Sequence, residues 1–176
     1  SKTEAFVAER GYRPVVEFAS FGNLSMRKAR AGFAFDFLGV GGYKMEEEKS
    51  YSSVKSAAET SASSSSDIVV ICSSDQDYID SAVEFVKTFR AINTSKVLIL
   101  AGCPESIMEK LKGSGLDACI HLRSDILDTL ELIHNKMSKT TKIGFIFAQS
   151  DNYEFFSNSF LSQQLRLLYL SFTSYF

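Results

Sequence analysis

The chain has 176 residues, of which 45% are hydrophobic and 23% charged, with a formal net charge of −2. This fits one globular domain with an appendage, and the near-neutral balance gives no broad attraction to nucleic acid or to an anionic membrane. Cys72, Cys103 and Cys119 are widely spaced and odd in number, which reads as reduced thiols in a cytoplasmic protein. No basic-then-apolar leader opens the sequence and no apolar run reaches membrane-spanning length.

Residues 1–13 read as a connector. From Pro14 the chain then alternates strand and helix as far as residue 137. "VVEFASF" is the first strand, an apolar β-rich run. Asn23 is placed to cap the helix that follows. "GVGGYKM" reads as a short second strand, and "SYSSVKSAAET" as a polar helix running into the serine tract Ser63–Ser66. That tract reads as a helix end plus loop, because the strand "DIVVICS" follows at once. Apolar on both faces, this strand belongs at the centre of a parallel sheet. Asp75 or Asp77 then caps "YIDSAVEFVKTFRAI", whose apolar face takes in Ile79, Val83, Phe85, Val86 and Phe89, with Arg90 at the same helical spacing. "KVLILAG" is another buried strand. "CPESIMEKLKGSG" is a helix opened by Pro104 and closed by Gly113 or Gly115. "LDACIHL" is the fifth strand, and "SDILDTLELIHNKM" a last helix capped by Ser124.

Five such units predict an α/β, flavodoxin-like three-layer domain over residues 14–137, with a five-stranded parallel sheet in the order 2-1-3-4-5. A ligand site then falls at the switch point, beside the ends of the first and third strands, at Phe21–Ser25 and Cys72–Tyr78. Residues 138–176 break the rhythm. This aromatic-rich, apolar tail offers "KIGFIFAQ" as a strand and "SFLSQQLRLLYLSF" as a helix. It reads as an extra element or as a non-native extension.

The switch-point loops carry no standard chemistry. "GVGGYK" has too few glycines for a phosphate loop and precedes a strand rather than a helix. A phosphoacceptor site needs acids just after the first strand, where Glu17 comes too early, and a Lys after the fifth, where Leu122-Arg123-Ser124 stands. Asp75, Asp77 and Asp80 suit helix capping better than a metal. His121 and His134 stand apart near element ends, so no catalytic or metal-binding set is expected.

Several segments nevertheless resemble one family. They are "RPVVEFASFGN", "ARAGFAFDFLGVGG", "DIVVICSSDQDY", "KVLILAGCPE" and "GLDACIHLRSDILDTLELI". Together residues 14–137 resemble the C-terminal, cobalamin-binding-like domain of the methylmalonyl-CoA mutase family, and more closely that of its small (β) subunits. The resemblance implies a place in an isomerase that interconverts methylmalonyl-CoA and succinyl-CoA with adenosylcobalamin. In that family the large subunit binds the cofactor through an Asp-x-His-x-x-Gly loop after the first strand, with the His as lower cobalt ligand. Here Asn23 and Ser25 have the Asp-x-His spacing, and no His precedes His121. A serine hydroxyl is a poor substitute for imidazole at cobalt. Ser73 and Ser74 fall near a cofactor-contacting serine of the family, and Gly102 near its later glycines.

These five residues are expected to be vestigial positions, with no catalytic, cofactor or metal ligand on this chain. The resemblance implies a non-catalytic small subunit in a cytoplasmic heterodimer, with adenosylcobalamin held by the large (α) subunit and no nucleic-acid or membrane partner. Two alternatives stay open: a degenerate corrinoid-binding domain, and an unrelated flavodoxin-like binding module.

Overall fold

The structure is a computed structural model and describes residues 2–149. Contacts divide the chain into two units, Ser1–His134 and Asn135–Phe176. The segment read as a connector holds helix α1 (Lys2–Arg10), whose Thr3 and Phe6 are buried. There follow β1 (Val15–Ser20), α2 (Leu24–Gly39), β2 (Lys44–Ser50), α3 (Val54–Ser63), β3 (Ile68–Cys72), α4 (Asp75–Ile92), β4 (Val97–Ala101), α5 (Glu105–Leu111), β5 (Ala118–Ile120) and α6 (Ile126–Gln149). The sheet is five-stranded with order β2-β1-β3-β4-β5, and every pairing is parallel. This is the flavodoxin-like α/β arrangement expected from the βα rhythm.

The centre of the sheet follows from apolarity on both faces. All residues of β3 and β4 are buried, in register Ile68↔Val97 through Cys72↔Ala101. One face packs Ala19, Phe21, Val69, Ile71, Leu98 and Leu100 against Ala57, Ala58, Tyr78, Phe85, Phe89 and Ile107 from α3, α4 and α5. Alternation along each strand turns Phe18, Ile68, Val70 and Ile99 to the opposite face, and the ring of Phe18 meets that of Phe35 from α2.

Five local expectations are corrected. Gly39–Gly42 form a turn, with Gly42 at φ +73°, and the strand is "KMEEEKS" beyond it. Its polarity hid it from a hydrophobic reading. As an edge strand it is largely solvated, and its charges blunt edge-to-edge pairing. Ser74, not Asp75 or Asp77, caps α4, its hydroxyl accepting from Asp77 N. The buried face of that helix is Tyr78, Ala82, Phe85, Val86 and Phe89, leaving Ile79 exposed. At α6 the Asp125 carboxylate accepts from Asp128 N at 3.0 Å, while Ser124 Oγ instead accepts from His121 N at 2.9 Å. "KIGFIFAQ" lies in α6 rather than in a strand. The tail helix read at 159–172 lies outside the described residues.

The serine tract finishes α3 and then turns inward. Glu17 on β1 is fully buried and accepts from Ser64 Oγ at 2.5 Å, Ser66 Oγ at 3.0 Å, and Tyr51 Oη and Lys49 Nζ, each at 3.3 Å. Lys96, buried at the start of β4, donates to the carbonyls of Ser61 and Ser64 at 2.7 and 2.6 Å and to Ser64 Oγ at 2.9 Å. Ser64 thus relays a buried cation to a buried carboxylate. This network sits at the N-terminal edge of the sheet, opposite the candidate site.

Candidate functional site

The sheet brings the end of β1 beside the end of β3. Phe21 N donates to Cys72 O at 3.2 Å, and the chain then turns through Gly22 at φ +75°. A non-glycine residue is disfavoured in that conformation, and a Cβ there would also collide with the Asp77 carboxylate. Asn23 follows as N-cap of α2, its side-chain oxygen accepting from Met26 N at 3.1 Å. Ser25 lies in the first turn of α2 and is exposed.

Asp77, in the first turn of α4, reaches across the crevice. Its Oδ2 accepts from Ser74 Oγ at 2.6 Å and from Asn23 N at 3.1 Å, and lies 3.0 Å from Ser73 Oγ. These hydrogen bonds, led by that of Ser74, hold its carboxyl below the usual carboxylate range. Ser73 is fully buried, and its Oγ also lies 2.7 Å from Phe21 O. One carboxylate therefore ties the loop after β1 to the loop after β3.

A second closure lies one strand further along the sheet. Gly102, at φ +101°, ends β4, and the space a Cβ would take there is filled by the guanidinium of Arg30. Arg30, from the second turn of α2, pairs with Asp75 at 2.6 Å and points Nη1 at Ala101 O at 3.4 Å. Beneath it the buried hydroxyl of Tyr78 accepts from Ser73 N at 2.8 Å and donates to Ala101 O at 2.8 Å, with Ile71 O at 3.0 Å. Burial raises that phenol well above its ordinary range.

The α2 side of the crevice is also filled. Arg27 and Glu48 face each other at 3.6 Å, and the buried Ser20 Oγ makes no hydrogen bond among the described residues. Cys72 is sealed beside Ser20, and burial pushes its thiol far up, away from reactivity.

Of the positions singled out in the sequence, Asn23, Ser73, Ser74 and Gly102 line this crevice, and Ser25 faces outward. The residues that fill it, Arg30 and Asp77, were not among them. The signal for Arg30 is its place on the inward face of the helix, three residues after Arg27 and four before the buried Ala34. The histidines stay apart. His121 follows β5, its Nδ1 accepting from Arg123 N at 3.1 Å. His134 lies in α6, with Nε2 at 3.2 Å from Thr3 Oγ1 and its ring against Tyr43.

The cysteines depart from expectation. Cys103, just beyond β4, and Cys119, in β5, form a disulfide, so among the described cysteines only Cys72 is a free thiol. The expectation of three reduced thiols fails, and with it the composition argument for a cytoplasmic location. Among the described residues no helix is long and apolar enough to cross a membrane.

No family model matches the chain. It is 33% identical over 126 residues to the methylmalonyl-CoA mutase small subunit of Porphyromonas gingivalis, covering 72% of this chain and 20% of that protein. It is 25% identical over 125 residues to the methylmalonyl-CoA mutase small subunit of Streptomyces virginiae, covering 71% of this chain and 20% of that one. The chain thus spans about a fifth of the length of the curated relatives it matches, and it is similar in sequence to methylmalonyl-CoA mutase small subunits, as the segment resemblance implied. Among solved structures, response regulator receiver domains from Methanospirillum hungatei and Clostridium thermocellum are each 12% identical with a TM-score of 0.49, covering 75% of this chain and 99% of theirs.

Proposed function

We propose that this relative of methylmalonyl-CoA mutase small subunits is a non-catalytic small-subunit domain that works through protein contacts and holds no corrinoid of its own. Its partner is the cobalamin-bearing large subunit, in a heterodimer. The isomerisation of methylmalonyl-CoA to succinyl-CoA belongs to the assembled complex, with adenosylcobalamin on the large subunit.

The observation that carries this reading is the filling of the switch-point crevice by the chain's own side chains. A corrinoid site in this position needs an imidazole on the loop after β1 and open space along the strand ends. The loop offers Asn23, already engaged as a helix cap, and Ser25, which is exposed. The two glycines are backed by Asp77 and Arg30. The residues present do not fit the cofactor, and no reaction step is assigned to them.

A chimera tests the reading. Residues 14–137 replace the matching segment of the Porphyromonas gingivalis small subunit, which is co-expressed with the large subunit of the same organism. The expected result is a chimera that co-purifies with the large subunit and supports isomerisation only in its presence. A folded chimera that fails to co-purify, or one that isomerises methylmalonyl-CoA alone, overturns it.

A further inference from the structure

We propose that Cys103 and Cys119 are a redox modification site. They form a reversible thiol–disulfide couple with low-molecular-weight thiols and disulfides of the glutathione class, and their oxidised form pins β5 to the end of β4.

The two residues are placed for a bridge. Cys103 directly follows Gly102, and Cys119 is the middle residue of β5, paired opposite Leu100. Their Cα atoms are 5.7 Å apart, inside the span a disulfide bridges without backbone movement. Exposure sets them apart from the third cysteine. Cys72 is fully buried, whereas Cys103 and Cys119 are both partly exposed, and exchange needs access of a thiolate to sulfur.

The bridge ties a short edge strand to its neighbour. β5 is an edge strand of three residues, and only Ile120 within it is buried. It is held by three register pairs with β4, by the bond from Gly102 N to Ile120 O at 2.7 Å and, at its start, by Asp117, whose N–H donates to Leu98 O at 2.9 Å and whose Oδ2 accepts from Leu98 N at 2.7 Å. The disulfide closes a loop, of sequence separation 16, that contains all of α5. Closing such a loop removes freedom from the unfolded chain. Opening it frees the residue next to Gly102, where Arg30 closes the crevice.

The chemistry balances with glutathione disulfide as oxidant. The thiolate of one cysteine attacks a glutathione sulfur, forming a mixed disulfide and releasing one glutathione thiolate. The second cysteine's thiolate attacks the protein sulfur of that mixed disulfide and releases the other glutathione. Two protein thiols lose two electrons, one small disulfide becomes two thiols, and the two protons pass to the departing thiolates. Excess reduced glutathione runs the sequence backwards.

The test equilibrates the full 176-residue chain in oxidised or reduced glutathione, labels native thiols with maleimide and reads intact mass. The oxidised chain is expected to take no label and the reduced chain two. Cys72 takes a third label only after unfolding. Reduction is expected to lower the melting temperature by about 5–10 °C, and re-oxidation to restore it. The variant Cys103→Ser, with one bridge partner left, is expected to trap a single glutathione on Cys119. Two labelled thiols in oxidised glutathione overturn the proposal. So does a bridge that survives millimolar reduced glutathione, or equal melting temperatures for the two forms.

Discussion

Lys96 and Glu17 are charged residues buried in the α/β unit, and an ion left buried without its counter-charge is strongly destabilising. Lys96→Met removes the ammonium that the carbonyls of Ser61 and Ser64 accept from, leaves Glu17 with Lys49, Tyr51 and its serines, and is expected to cost about 1–3 kcal/mol in urea unfolding. Glu17→Gln keeps the hydrogen bonds from Ser64 and Ser66 and should cost less. The pH dependence has a definite sign. Burial lowers the Lys96 ammonium from its ordinary 10.5 to about 8, against the opposing pull of Glu17. Below pH 8 folded and unfolded chains both carry the proton, and the burial penalty is constant. Between about pH 8 and 10 the unfolded chain keeps the proton while the folded chain has released it, so stability rises with pH. Wild type should show that rise, and Lys96→Met should lack it. The raised phenols of Tyr12 and Tyr51 act above this window with the opposite sign.

At the scale of elements, closure of the crevice rests on two helix starts. The first turn of α4 supplies Ser74, Asp75, Asp77 and Tyr78, and the first two turns of α2 supply Asn23, Arg27 and Arg30. Tyr78 joins the ends of β3 and β4 from beneath. Tyr78→Phe removes the hydroxyl and leaves Ser73 N and Ala101 O buried without that partner, an expected loss of about 1–3 kcal/mol. A Phe variant as stable as wild type would show that water replaces the phenol. The elements themselves were legible in the sequence wherever burial writes a period. "DIVVIC" and "KVLILA" announce central strands because both faces are apolar. β2 was misplaced because an edge strand rich in Glu has no such pattern, and the glycines read into it form the turn that precedes it. The contacts that close the crevice were not legible. Arg30 meets Gly102 across 72 positions of sequence, and Asp77 meets Asn23 across 54. A helix-capping carboxylate and a plug look alike until the loop after β1 is seen against it. The disulfide was missed for the same reason, since only β4–β5 pairing brings Cys103 to Cys119.

At the largest scale, the unit Ser1–His134 is a flavodoxin-like fold whose switch-point crevice is closed by its own side chains. The sheet order and the position of the switch point are those of a ligand-binding α/β domain. Asp77 and Arg30 occupy the cradles that Gly22 and Gly102 leave. The proposed reading, a domain that works through protein contacts, follows from that closure. The most direct test is a visible-spectrum titration of the full 176-residue chain with hydroxocobalamin. No saturable change is expected up to tens of micromolar cofactor (about −6 kcal/mol of binding or weaker). A saturable complex at micromolar or tighter affinity, with a spectrum shifted from that of free hydroxocobalamin, would contradict it.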